Sequence, residues 1–233
     1  MSRSFILAVA LVAIAIACTA DGDGELEAGA FRLPWSTDEA WFFLGGPHCD
    51  SSADICPSGT PRYALDFAPR APLTGFLCDP SGNDQYWVTA AAGGVVRIAD
   101  RSLVEVEHPD GTRTGYYHLR SSSMAVSPGD TVDAGAPLGN PSCEHRRGGT
   151  VPGPHVHFYV CSGAGPADAC LDDRASLLAA EGRTLSGWRI EAGDKNYAGT
   201  LERDGEIRTA TALPCPATNP DEGCAAARND IHP

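Results

Sequence analysis

One stretch of the sequence, residues 153–160, has the pattern of a β-strand with two histidines on the same face. Apolar side chains at every second position alternate there with His155, His157 and Tyr159. Successive side chains of a strand point to opposite faces, so His155 and His157 share one face, about 6.5–7 Å apart. On a helix, residues two positions apart would diverge. The pair can bind one metal ion together, or one imidazole can bind it while the other reaches a metal-bound water. A plain strand with two surface histidines is the alternative.

The composition favours a turn-rich β protein. The 233 residues include 26 Gly and 18 Pro, whereas charged residues make up 20%. This length can hold one sizeable domain. We therefore predict a mostly β fold, an antiparallel sheet or sandwich with little helix. The net charge of −13 argues against a nucleic-acid partner and against electrostatic binding to an anionic membrane.

The N-terminus has the pattern of an export signal. Arg3 precedes an unbroken apolar run over residues 5–17, which is too short to span a bilayer, and we predict a signal peptide over residues 1–17. Cys18 follows at once, as at a bacterial lipoprotein cleavage site, where the cysteine becomes acylated. Residues 18–30 would then be the lipidation cysteine and a flexible tether. An ordinary secretory cut near Ala20 is the alternative. The protein would be exported, either to the cell envelope as a lipoprotein or as a secreted protein.

The chain has nine cysteines, and eight remain when Cys18 is set aside. Eight can pair as four disulfides in an oxidising compartment. Other connectivities stay open, because eight cysteines allow 105 pairings. Closing the short loops first would give Cys49–Cys56, Cys161–Cys170 and Cys215–Cys224, and would leave Cys78–Cys143 as the long link.

The rest of the sequence predicts short strands joined by turns. A hairpin is expected at Pro109-Asp110-Gly111, with Tyr116 and His118 on one face of its return strand. The only predicted helix covers residues 172–180. We expect a core over residues 31–165 and a C-terminal extension of the same domain over residues 166–233. The predicted strands cover residues 41–44, 63–68, 103–108, 112–118, 126–132, 136–140 and 153–160, with two further strands joined by a tight bend within residues 86–96.

Asp66 is an acid embedded in the apolar strand 63–68. An unpaired buried carboxylate is costly, so it needs a partner. Arg62 or Arg70 could be that partner. A metal ion is the functional alternative.

Four motifs with conspicuous glycine, proline, histidine and aspartate residues follow one another along the chain. They are Gly45-Gly46-Pro47-His48, Ala64-Leu65-Asp66-Phe67-Ala68-Pro69, Gly115-Tyr116-Tyr117-His118-Leu119 and Gly153-Pro154-His155-Val156-His157-Phe158. Their order resembles that of lysostaphin-type (LytM-type) zinc metalloendopeptidases, and the chain most resembles the β-lytic, or staphylolytic, branch of that family. The resemblance runs from residue 33 to about residue 159.

The resemblance implies a duplicated-hybrid-motif-like sheet with a zinc site in a groove. His48, Asp66 and His157 would hold one Zn²⁺ per chain. His155 would be the general base that takes a proton from the zinc-bound water, and His118 would hydrogen-bond the water or the tetrahedral oxyanion.

The sequence departs from the wider family at one position. Most members place the first ligand four residues before the aspartate, where this chain has Arg62. A guanidinium stays protonated and cannot bind zinc. The β-lytic branch instead uses an earlier histidine after a Gly-Pro turn, and His48 fits that position.

These features predict an exported zinc metalloendopeptidase that hydrolyses peptide bonds in bacterial peptidoglycan, at crosslinks or in Gly-rich peptides. Its partner would be a peptidoglycan peptide. The chain would be a monomer, with no nucleic acid and with membrane contact only through an N-terminal lipid.

Two other functions remain open at this point. Some relatives have lost metal ligands and act as inactive modules that bind or activate other wall hydrolases. Alternatively, His118, His155 and His157 could form a three-histidine metal site of another hydrolase or lyase, which would make His48 and Asp66 dispensable. The remaining histidines, at positions 108, 145 and 232, are predicted to lie on the surface.

Overall fold

The computed structural model describes residues 31–50, 53–69, 78, 84–163, 165, 168–211 and 230–233. These residues form fifteen β-strands and only short 3₁₀ turns, which confirms the mostly β prediction. The strands are β1 (Trp41–His48), β2 (Ala64–Pro69), β3 (Val88–Thr89), β4 (Gly94–Asp100), β5 (Leu103–Glu107), β6 (Arg113–Tyr117), β7 (Thr131–Val132), β8 (Pro137–Gly139), β9 (Ser142–Glu144), β10 (Thr150–Cys161), β11 (Thr184–Leu185), β12 (Trp188–Ala192), β13 (Gly199–Arg203), β14 (Glu206–Thr209) and β15 (Asp230–Ile231).

The main sheet has nine strands in the order β15-β1-β2-β10-β6-β5-β4-β7, with β9 also paired to β10. All its pairings are antiparallel. The longest strand, β10, lies between β2 and β6, so residues of three neighbouring strands meet around its centre. A second sheet contains β11-β12-β13-β14, and β3 pairs with β8.

One face of the main sheet carries the large apolar core. Val156 and Phe158 of β10 point into it, together with Trp41 and Phe43 of β1 and Phe67 of β2. Each large apolar side chain buried this way contributes about 1.5–3 kcal/mol to stability. The alternation of β10 predicted from its sequence is therefore present, with its apolar positions in the core.

The opposite face carries a smaller apolar cluster and a buried polar network. Glu105 is fully buried there. Its carboxylate accepts hydrogen bonds from the Tyr159 hydroxyl at 2.5 Å and the Cys170 backbone N–H at 2.8 Å. Arg113 lies 3.5 Å from the same carboxylate and is also buried. Tyr159 packs across Gly115, where a Cβ atom would enter the phenol ring. Glu105 Oε1 is thus hydrogen-bonded to protein groups, with the Arg113 guanidinium beside the carboxylate.

Three of the four predicted disulfides are confirmed: Cys49–Cys56, Cys78–Cys143 and Cys161–Cys170. The fourth prediction, Cys215–Cys224, lies outside the described residues. Disulfides of this kind form and persist in oxidising compartments, so they indicate an extracellular protein.

The predicted helix over residues 172–180 is wrong. The chain forms 3₁₀ turns at Cys170–Asp172 and Arg174–Ser176 and then runs extended along the sheet. The Leu178 N–H donates to the carbonyl of Val160, and Leu177 bridges to Cys161. An isolated nine-residue helix has only marginal stability. Pairing of this segment with the end of β10 is therefore more favourable than a helix.

The predicted surface position of His108 is also wrong. Its ring is buried, with Nδ1 2.9 Å from the Gly93 carbonyl and Nε2 2.9 Å from the Thr114 hydroxyl. His108 directly precedes the hairpin turn, and its ring lies between Gly93, just before β4, and Thr114 of β6.

The predicted signal peptide, Cys18 and the tether lie outside the described residues. Among the residues that the structure does describe, no helix has the length and apolar character needed to cross a bilayer.

Candidate metal centre and active site

Three potential metal ligands from three neighbouring strands meet on the polar side of the sheet. His48 ends β1, Asp66 lies in β2, and His157 lies in β10 directly opposite Asp66 in register. Asp66 Oδ1 is 3.0 Å from His48 Nε2 and 3.2 Å from His157 Nδ1. The structure therefore brings together the three residues that the resemblance implied as zinc ligands.

An irregularity in β1 brings His48 to this site. Gly45 pairs with Asp66, and the register shifts on both sides of it. Gly46 has a φ of +129°, and a Cβ atom there would approach Leu65 Cδ2 to 2.7 Å. Only glycine adopts this backbone and tolerates this contact. The glycine pair thus bends the strand so that His48 reaches Asp66.

The donor set fits a zinc ion. Within the described part of the chain, the buried atoms His48 Nε2 and Asp66 Oδ1 have no hydrogen-bond partner, which is unusual for buried polar atoms. Donor atoms around a tetrahedral zinc at about 2.1 Å lie roughly 3.4 Å from one another, close to the spacing found here. Two imidazoles and one carboxylate are also the ligand types that zinc prefers.

The charges at this centre are coupled. Burial by itself would raise the pKa of Asp66, but the imidazoles of His48, His157 and His155 outweigh it and hold that pKa well below its usual value. Burial would lower the pKa of His48, but the Asp66 carboxylate reverses this effect and raises it. A carboxylate kept ionised is ready to bind a cation.

His155, predicted as the general base, lies beside the ligand cluster. Its Nε2 is 3.9 Å from Asp66 Oδ1, and its Nδ1 is 3.0 Å from the Gly153 carbonyl. A carbonyl only accepts hydrogen bonds, so Nδ1 carries the hydrogen and Nε2 of the neutral ring has a free lone pair. Burial lowers the pKa of His155, with Asp66 partly offsetting it, so the ring is neutral near pH 7.

His118 completes a group of four imidazoles. Its ring centroid is 4.7 Å from that of His155 and 6.0 Å from that of His157. Nδ1 donates to the Glu144 carbonyl at 2.8 Å, which again leaves Nε2 as an acceptor. Burial lowers the pKa of His118 well below its usual value, and the neighbouring His155 and His157 lower it further.

The prediction that Tyr116 and His118 share a face is wrong. Tyr116 lies in the apolar core, and strand β6 ends at Tyr117. His118 has a left-handed backbone, with φ of +67°, which breaks the strand alternation and turns the ring to the polar side. Tyr117, one position earlier, stacks on it at 4.1 Å.

Arg62 is not the partner of Asp66. Its guanidinium donates instead to the backbone carbonyls of Gly193 and Asp194. Arg70, the other arginine considered, lies outside the described residues. Of the remaining histidines, His145 lies at the border of the site, with its ring centroid 6.0 Å from that of His118, and the side chain of His232 is exposed.

Two residues at the centre were not predicted from the sequence. Tyr197 stacks on His48, with ring centroids 4.0 Å apart, and burial raises its pKa to about 12. Asp50 forms a group with His48 and His157 in which one ligand atom from each lies within 4.8 Å of the others. Position 50 follows the predicted ligand by two residues, which is the only local signal that it could lie near the metal centre.

A cavity of about 500 Å³ lies beside the centre. Asp50, Tyr117 and His145 line it, together with arginines and aspartates from residues 146–147 and 172–174 and the apolar side chains of Leu171 and Ala175. A substrate chain bound at the imidazoles would have polar, charged walls next to it.

Comparisons with known proteins agree with this geometry. Residues 78–169 match the model of Peptidase family M23, and this region contains His118, His155 and His157. Protease LasA of Pseudomonas aeruginosa is 29% identical over 176 residues, and the match covers 74% of this chain and 36% of LasA. The beta-lytic metalloendopeptidase of Achromobacter lyticus is 25% identical over 173 residues, covering 72% of this chain and 40% of that protein. The chain therefore spans less than half the length of these two curated relatives.

A solved structure titled "A Novel M23 Metalloprotease Pseudoalterin from Deep-sea" has a TM-score of 0.58 and 29% sequence identity. The match covers 78% of this chain and 95% of that one. This likeness extends beyond residues 78–169 and so involves more of the chain than the family model does. Together with the ordered motifs, these matches show that residues 78–169 form a Peptidase family M23 domain, homologous to LasA and to the beta-lytic metalloendopeptidases.

Proposed function

We propose that this chain is an exported zinc metalloendopeptidase that hydrolyses peptide bonds in bacterial peptidoglycan, at crosslinks or in Gly-rich peptides. One observation carries the proposal. His48 Nε2 and His157 Nδ1 converge on Asp66 Oδ1 at 3.0 and 3.2 Å, with two more buried imidazoles beside them. Membership of a peptidase family supports the reaction class.

His48, Asp66 and His157 would hold one zinc ion per chain. When bound, zinc supplies a Lewis acid that polarises a carbonyl and lowers the pKa of water toward neutrality. The three residues are suited to hold it because they come from adjacent strands of one sheet, which fixes their separation before any ion binds.

His155 would accept the proton of the attacking water at Nε2. The Gly153 carbonyl holds the hydrogen on Nδ1, so the lone pair on Nε2 faces the ligand cluster. The lowered pKa keeps this nitrogen free near pH 7. After accepting the proton, the ring can pass it to the leaving amine.

His118 would orient the water rather than bind the oxyanion at the start of the reaction. Its Nδ1 hydrogen is committed to the Glu144 carbonyl, so Nε2 of the neutral ring accepts a hydrogen bond and cannot donate one. Donation to an oxyanion would require the cationic ring, which burial disfavours. Two imidazole acceptors on one water would fix its direction of attack.

The two alternative functions are less well supported. An inactive module that has lost its ligands has no need for five converging polar residues. A three-histidine site made of His118, His155 and His157 would leave the buried atoms His48 Nε2 and Asp66 Oδ1 without a role. The two-imidazole, one-carboxylate set uses both atoms.

Export agrees with the three disulfides, which favour an oxidising compartment. We propose that the protein is either anchored through an acylated Cys18 or secreted, and that it acts as a monomer. Its negative charge is unsuited to nucleic acid.

Digestion of purified peptidoglycans that differ in crosslink type tests the proposal. The zinc-loaded protein should release new amino termini from at least one wall, and a chelator should prevent this. The His155→Ala variant should be inactive, whereas His232→Ala, a change at an exposed side chain, should match the wild type. Failure to cleave any wall or Gly-rich peptide would refute the proposal.

A further inference from the structure

One ring nitrogen of His157 has no hydrogen-bond partner among the residues that the structure describes. Its Nδ1 belongs to the ligand cluster, 3.2 Å from Asp66 Oδ1. The other nitrogen, Nε2, is buried and makes no hydrogen bond to any described residue. If Nδ1 binds a metal, the hydrogen of the neutral ring must be on Nε2, which becomes a buried donor that needs an acceptor.

A carboxylate lies close to that nitrogen. Asp50 Oδ1 is 3.9 Å from His157 Nε2, about 1 Å beyond hydrogen-bond distance. The Asp50 side chain is half exposed, so a small rotation can close this gap. The same carboxylate is near the phenol of Tyr63, whose pKa is raised by burial and by Asp50.

The backbone beside Asp50 is held firmly. Cys49 is joined to Cys56 by a disulfide. Its N–H donates to Asn196 Oδ1 at 2.9 Å, and Asn196 Nδ2 donates back to its carbonyl at 3.4 Å and to the carbonyl of Ala53 at 3.2 Å. The base of the Asp50 side chain is therefore fixed, while its carboxylate can turn toward His157.

We propose that Asp50 is a positioning residue of the metal centre. Its carboxylate accepts the Nε2 hydrogen of His157, fixes the tautomer, and holds Nδ1 toward the ion. This inference rests on the metal site of the proposed function and adds a residue to it. The carboxylate acts through His157 and is not itself a ligand.

Zinc affinity tests the proposal without any substrate. The full chain, oxidised and stripped of metal, is titrated with zinc against a chromophoric chelator. The Asp50→Ala variant should bind zinc about 10–100-fold more weakly than the wild type, as is typical when such an outer partner is removed. The matched control is Asp54→Ala, which removes a nearby exposed carboxylate that lies 3.2 Å from Lys195 Nζ. Its zinc affinity should not change.

Two further measurements separate positioning from other roles. The metal-free melting temperature of Asp50→Ala should equal that of the wild type, since a purely structural role would lower it. The absorption spectrum of bound cobalt(II) should keep its intensity, because the ligands are unchanged. Loss of that intensity would mean that Asp50 is itself a ligand and would overturn the proposal.

The role of Asp50 and the proposed zinc site can be refuted separately. Zinc binding by the wild type with equal affinity in Asp50→Ala overturns the role of Asp50 alone. Absence of zinc binding in the wild type overturns the proposed function and this inference together.

Discussion

Zinc should stabilise this fold, and Asp66→Asn should remove that effect. The proposed ligands come from β1, β2 and β10, so they are together only in the folded chain. An ion that binds the folded state and not the unfolded one shifts the equilibrium by mass action. An asparagine amide in place of this carboxylate would retain the shape of the side chain but lose the charge that faces the imidazoles.

The magnitude follows from linkage. Free zinc at about 100 times its dissociation constant adds about 2.7 kcal/mol to the free energy of unfolding. For a domain of about 150–250 residues this raises the melting temperature by roughly 5–11 °C. If Asp66→Asn weakens zinc binding a hundredfold, the same zinc adds only about 0.4 kcal/mol, or roughly 1 °C.

Differential scanning calorimetry of the oxidised protein, with zinc and with chelator, measures both shifts. Asp204→Asn is the matched control, since it makes the same chemical change in an exposed turn between β13 and β14. It should keep the full zinc effect. An equal zinc-induced shift in Asp66→Asn and the wild type would show that the carboxylate does not hold the ion.

Three other predictions concern the chemistry and the sheet. His155→Ala should lower kcat about 10²–10⁴-fold and leave the zinc affinity unchanged. His157→Ala should instead weaken zinc binding. Rate assays measure the first effect, and competition with a chelator measures the second. Gly115→Ala should destabilise the fold by about 1–3 kcal/mol in urea unfolding, because its Cβ would enter the Tyr159 ring; an unchanged midpoint would contradict this packing. Burial raises the pKa of Glu105 above its ordinary 4.5, so this group's contribution to stability falls as pH rises from about 4.5 through the raised pKa. Over that pH range the urea unfolding midpoint of Glu105→Gln should fall less steeply with pH than the midpoint of the wild type. Parallel plots of midpoint against pH would refute the raised pKa of Glu105.

Local patterns predicted the part of the site that depends on strand alternation. His155 and His157 lie on one face of β10 because side chains of a strand alternate, and the apolar positions between them are in the core. The need of Asp66 for a partner followed from its apolar neighbours. Which partner it has depends on the pairing of β2 with β1 and β10, and sequence spacing cannot give that register.

The errors arise where a single residue or a distant contact overrides the local pattern. His118 leaves the strand alternation through one left-handed backbone angle, which a histidine rarely adopts. Residues 172–180 have helical spacing, but they form 3₁₀ turns up to Ser176 and then pair with the end of β10 through Leu177 and Leu178. Tyr197 reaches His48 from the turn between β12 and β13, far along the chain, so no pattern around either residue reveals the contact.

The stacking of Tyr197 on His48 has a practical consequence for anyone who wishes to shorten this protein. The region that matches the family model ends at residue 169 and begins at residue 78. A fragment cut at those limits would omit His48 and Asp66, two of the three proposed metal ligands, and the Tyr197 ring that stacks on one of them. A fragment that keeps all of these groups must therefore run from before β1 to at least residue 197.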